Sequence, residues 1–110
     1  MAFTPYHNIE GSTGVDVQLI APGDNNLGIS SIYITNKNQA GTPATVSLFI
    51  QDQPAAGTAT SKFTILHEIQ MVGGTSLLLN DKSLLSYDGI KYGLYTTVAT
   101  DANVDIFINR

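Results

Sequence analysis

The residues able to do chemistry are few in this chain, and their spacing is informative mostly by what it lacks. His7 and His67 are the two histidines, the side chains whose unperturbed titration falls near neutral pH. His67 shares its parity with Phe63, Ile65 and Ile69, so it is read as a hydrogen-bonded histidine at the core or its boundary, not as a ligand or base. His7 lies beside Phe3, Pro5 and Tyr6, where a partner contact is the better reading. Eight serines would let a Ser-His-Asp triad be assembled on paper, but no G-x-S-x-G elbow exists to expose a nucleophile. Asp101-Ala102-Asn103-Val104-Asp105 imitates the first half of a calcium loop, yet Ile106 stands where that loop needs glycine, and the chain ends before its closing glutamate. A lone surface ion at Asp101, Asn103 and Asp105 is left open. Gly73-Gly74 has no following helix and no Lys-Ser or Lys-Thr, so it reads as a tight turn and not as a phosphate cradle. With no cysteine there is no thiol nucleophile, zinc finger or disulfide framework. The chain is expected to be no enzyme and to need no cofactor.

The elements that carry these residues are strands. Val17 and Leu19, Ile32 and Ile34, and Val46, Leu48 and Ile50 each alternate with residues of opposite parity. So do Phe63 to Ile69, Leu77 and Leu79, Ile90 to Val98, and Val104 to Ile108. A period of two marks strands with one face on a core, and the Val, Ile, Thr and Tyr content agrees.

Turn chemistry separates them. The separators include Pro22-Gly23-Asp24-Asn25-Asn26, residues 36–43, Val72-Gly73-Gly74-Thr75, Asn80-Asp81-Lys82, Tyr87-Asp88-Gly89 and Thr100-Asp101-Ala102-Asn103. Seven or eight short strands without a 3.6-residue pattern indicate an all-β sandwich or small barrel, and an antiparallel sandwich of jelly-roll type is the expected fold. Ser83 to Tyr87 is the one segment open to a helical turn, and it is read as a turn or short strand. Residues 1–14, too apolar for a frayed tail and too irregular for a strand, are expected to form an extended N-terminal arm, with the sandwich over 15–110. Removing residues 2–13 is then expected to weaken partner binding and leave the domain folded. The loop from Asp52 to Thr60 is long for a hairpin and is expected to project, where it could carry a ligand site.

Aromatic residues out of phase carry the main functional signal. Tyr33 lies between Ile32 and Ile34, Phe49 between Leu48 and Ile50, and Phe107 between Ile106 and Ile108, with Leu66 and Tyr95 similarly placed. If one face of each strand builds the core, these side chains point away from it, as an association surface would. Together with Phe3, Tyr6, His7 and Ile9 of the arm they form the expected protein interface.

Composition bounds the partners. The chain has 110 residues, enough for one domain with a single core. Charged residues make up 13%, about half the ~25% of ordinary domains. Ser, Thr, Asn and Gln fill 33 positions instead. Disorder is excluded, because disordered chains combine high charge with low hydrophobicity. Net charge is −4 and no basic cluster exists, so nucleic acid is not expected as a partner. No run of 18 apolar residues suits a membrane helix, and no signal peptide is visible. Four lysines can guard few strand edges, so a neighbouring subunit is expected to cover some, in a homo-oligomer or larger assembly.

The segment from Phe63-Thr64-Ile65-Leu66 to Val104-Asp105-Ile106-Phe107-Ile108 resembles small β-sandwich virion proteins of tailed bacteriophages. The resemblance rests on Gly74-Thr75-Ser76-Leu77-Leu78-Leu79, Leu84-Leu85, Asp88-Gly89-Ile90 and Asn103-Val104-Asp105-Ile106. It extends over roughly residues 28–108 and departs in turn order, with Asp-Gly here where Gly-Asp is more usual. It implies a non-enzymatic virion component made in a bacterial cytoplasm: a head decoration (cement) protein on the major capsid protein, or a neck, collar or tail protein. A receptor- or carbohydrate-binding module is the other reading a jelly roll allows.

Overall fold

Among the described residues, the alternating segments and part of the expected arm form eight antiparallel strands, arranged as an antiparallel ribbon rolled on itself. In the computed structural model, residues 6–10, 14–24, 28–52, 57, 60–100 and 102–109 are described. The strands are β1 (Tyr6–Glu10), β2 (Asp16–Ile20), β3 (Ser31–Asn36), β4 (Ala44–Asp52), β5 (Lys62–Met71), β6 (Ser76–Leu79), β7 (Tyr92–Thr100) and β8 (Asn103–Asn109). One sheet has the order β1-β8-β3-β6 and the other β2-β7-β4-β5. The pairs 1/8, 2/7, 3/6 and 4/5, taken alternately into the two sheets, are the wrapping of a jelly roll.

Each strand sends its β-branched and leucine residues between the sheets. Ile32 and Ile34 of β3, with Val104, Ile106 and Ile108 of β8, meet Val46 and Leu48 of β4 and Leu94 and Val98 of β7 in one buried cluster. At ~25 cal/mol per Å² this apolar burial is the main stabilising term. Among the described residues the two buried polar ones, Asn36 and Thr96, are paired, and Thr96 Oγ1 donates to the Ser47 carbonyl at 2.8 Å.

Asn36, at the end of β3, is fully buried. Its Nδ2 donates to the Met71 carbonyl at 2.8 Å and to that of Thr42 at 3.3 Å, and its Oδ1 accepts from the Asn38 amide at 2.9 Å. One side chain thus ties β3 to the end of β5 and to the turn leading into β4. Nearby, a Cβ on Gly73 would sit 1.8 Å from the Gln39 carbonyl oxygen, so only glycine lets these two turns touch.

Two local expectations are corrected. Residues 6–10 are not too irregular for a strand: Tyr6–Glu10 pair with β8 from Tyr6↔Phe107 to Glu10↔Asn103, and Ile9 is buried in the core. Deleting residues 2–13 would therefore remove an edge strand and a core side chain as well as any arm. Over Ser83–Tyr87 the helical alternative holds in place of the turn or short strand: α1 (Lys82–Leu85) overlaps its first half, capped by Asp81 accepting from the Ser83 amide at 2.8 Å. Among the described residues no helix is long and apolar enough to cross a membrane.

Candidate functional site

The two sheets present different outer faces. On the first, Tyr6 is directly opposite Phe107, Phe107 opposite Tyr33, and Tyr33 opposite Leu78. These four side chains form one rung across β1, β8, β3 and β6. Tyr6 meets Phe107 edge-on at 5.4 Å between centroids, and Tyr33 meets it at 6.0 Å. Cross-strand pairing brings them together because opposed residues of an antiparallel pair stand on the same face. All four remain open to solvent: 69% for Tyr6, 41% for Phe107, 37% for Tyr33 and 52% for Leu78.

The neighbouring rungs are polar. Asn8 Nδ2 donates to Asp105, and Thr35 Oγ1 shares a hydrogen bond with Ser76 Oγ at 3.1 Å. On the other side Asn109 Nδ2 donates to Ser31 Oγ at 3.0 Å. At one corner Lys37 bridges Glu10 at 2.5 Å and Asp105 at 3.1 Å. An apolar stripe one rung deep, rimmed by polar side chains, is how a recognition surface differs from scattered exposed hydrophobics.

The second sheet's outer face behaves differently. Phe49 and Tyr95 do turn away from the core, but they are only 1% and 7% exposed. Their rings stack at 5.8 Å with planes 10° apart. Lys62 Nζ lies 3.9 Å above the Phe49 ring, and Gln18 Nε2 donates to the Tyr95 hydroxyl at 2.8 Å. The reason is the shape of β5. Its register against β4 shifts twice, running from Val46↔Ile69 to Leu48↔Leu66 to Phe49↔Thr64. Such bulges increase local twist and bend the strand, so the face becomes a groove of about 380 Å³ with Phe49 at its floor.

The nine expected interface residues therefore divide. Tyr6, Tyr33 and Phe107 come together as one stripe, whereas Phe3 lies outside the described residues. Ile9 is a core residue, and Phe49 and Tyr95 are buried against each other. Leu66 packs on the core, because the bulges reverse the parity of β5. His7 is half-buried, one residue from Tyr6 on the Ile9 side of β1. The same reversal corrects His67: it is not at the core boundary but largely exposed, its Nε2 3.4 Å from Glu68. Of the calcium-like triplet, Asp101 lies outside the described residues, and Asp105 is engaged by Asn8 and Lys37. Among the described residues no group of three or more His, Asp or Glu is arranged to hold a metal. The loop tip expected to project, residues 53–56 and 58–59, also lies outside them, while Asp52 closes its base by accepting from the Ser61 amide at 2.7 Å.

Leu78 is not among the expected interface residues, although parity marks it: it stands between Leu77 and Leu79 as Phe107 stands between Ile106 and Ile108. Compared with family models, curated proteins and solved structures, the chain matches none.

Proposed function

We propose that this chain is a non-enzymatic structural protein of a tailed-phage particle, a head decoration protein that seats the outer face of its first sheet on neighbouring capsid subunits. The observation that carries this reading is the exposed rung Tyr6–Phe107–Tyr33–Leu78, set in a polar frame on a jelly roll. The resemblance of residues 63–108 to virion sandwich proteins supplies the setting.

Size favours a repeated contact over a solitary one. Four strands about 4.8 Å apart, each about 20 Å long, give a face on the order of 400 Å². That is roughly half the ~800 Å² per partner of a standard interface. A single such contact is weak; many copies on a lattice add contact area without requiring strong individual affinity. The edges of this sheet agree: β1 and β6 pair without register shifts, whereas β2 and β5, the edges of the other sheet, both carry them. Bulged edges resist further pairing and regular ones accept it.

Quantitative mass spectrometry of tailed-phage particles purified from a lysate in which the chain is made tests the proposal. Hundreds of copies per particle are expected. A dozen or fewer would replace decoration by a neck, collar or tail role, and absence from particles would overturn the virion reading.

A further inference from the structure

The groove on the second sheet is built from side chains that the proposed capsid contact does not use. Its far wall is raised by backbone strain: Glu68 sits at φ 49°, in the left-handed region, with its amide donating to Ser47 Oγ at 2.9 Å. A glutamate held there is costly, and such strain, next to a bulge, is a recurrent feature of binding sites. The near wall is Asp16 of β2, whose carboxylate accepts from Thr97 Oγ1 at 2.6 Å. Ser47 and Thr97 place hydroxyls between the walls, and Lys62 stands over the Phe49 ring at one end. The volume, about 380 Å³, falls in the range of small-molecule sites.

The chemistry of the lining selects the ligand. Two carboxylates, one of them with His67 Nε2 3.4 Å away, oppose an anion such as phosphate, and the Lys62 ammonium opposes a cationic peptide, so no strongly charged molecule gains from the groove as a whole. Carboxylates accept hydrogen bonds only, the ammonium donates only, and each hydroxyl does both. A molecule presenting many hydroxyl donors and acceptors together with C–H surface satisfies all of them. We propose that this groove binds a neutral saccharide, with Asp16 and Glu68 accepting from sugar hydroxyls and Lys62 donating to a sugar oxygen. This goes beyond the particle role and does not depend on it, because the groove and the aromatic rung lie on opposite faces of the sandwich.

NMR chemical-shift mapping of the full chain decides the matter. The probes are neutral oligosaccharides of glucose, galactose, mannose and N-acetylglucosamine, with an oligogalacturonate, an oligolysine and inorganic phosphate as charged controls. A neutral saccharide is expected to give saturable shifts confined to residues 16–18, 45–49, 62–68 and 95–99. Asp16→Asn and Glu68→Gln should each weaken it about tenfold, the value of a charge-assisted hydrogen bond. Lys62→Met, a change at an exposed side chain, provides the same reading if either carboxylate variant fails to fold. Tyr33→Ser should leave the affinity unchanged, which separates failure of the groove from failure of the capsid-binding face. The proposal is overturned if no neutral saccharide in the panel saturates at millimolar concentration. Tighter binding of a charged control, or shifts lying on β3 and β8, would overturn it equally.

Discussion

Tyr33 and Phe107 are directly opposed on β3 and β8, their rings 6.0 Å apart and tilted by 40°, on the side of the sheet away from the core. Their neighbours along each strand, Ile32, Ile34, Ile106 and Ile108, are all buried. Register alone therefore fixes both sets: a slip of one residue would drive the aromatics inward and expose four isoleucines. The core and the outward aromatic rung are specified by the same pairing.

Asn36 is expected to be the most sensitive polar position. Asn36→Ala leaves the Met71 and Thr42 carbonyls and the Asn38 amide without their partner. Buried groups left unsatisfied cost about 1–3 kcal/mol. Urea unfolding should show a loss in that range, and a midpoint matching that of the native chain would refute the role given to this side chain.

Gly73→Ala should destabilise by roughly 2 kcal/mol or more, the scale of overpacking against atoms that cannot move aside. The obstacle is backbone: the Gln39 carbonyl oxygen and carbon lie 1.8 and 2.6 Å from the added methyl position. Thermal unfolding measures this directly, and an unchanged Tm would mean the two turns do not touch.

Glu68 offers a change of opposite sign. Glycine removes the steric cost of its left-handed backbone, so Glu68→Gly should leave stability unchanged or raise it by up to about 1 kcal/mol, whereas the β-branched Glu68→Val should lower it. Equal stabilities for the two variants would argue against the strained bulge.

Lys37 sets a pH dependence. Its bond to Glu10, then that to Asp105, holds its ammonium above the ordinary lysine value of 10.5. A folded value raised in this way contributes stability that is complete below 10.5 and lost as pH climbs through the folded value. The native chain should therefore lose stability relative to Lys37→Gln on the alkaline side of 10.5. Parallel stability profiles across that window would contradict the account.

How much of this could be read from the residues depended on whether a strand kept its period. In β3 and β8 alternation is unbroken, so Tyr33 and Phe107 follow from parity, as does the fold class. In β5 the two register shifts insert residues that parity counting cannot see, which misplaced Leu66 and His67. For Phe49 and Tyr95 parity gives the face but not the burial, because burial depends on Lys62 and on the curl of β5. Ile9 reads as part of an arm because five residues of strand carry too short a pattern to stand out beside Pro5 and Gly11.

The central claim is that the outer aromatic rung of the first sheet seats the protein on its particle. It is tested most directly by sedimenting purified chain with particles stripped of it, using the native sequence and the Tyr33→Ser/Phe107→Ser double variant. Truncating two exposed cross-strand aromatics costs the fold about 1–2 kcal/mol, so the variant should remain folded at room temperature. The account predicts saturable binding of the native chain at hundreds of copies and at least about a tenfold loss for the variant, the effect of ~1.4 kcal/mol or more per site. Equal binding by a folded double variant would contradict it.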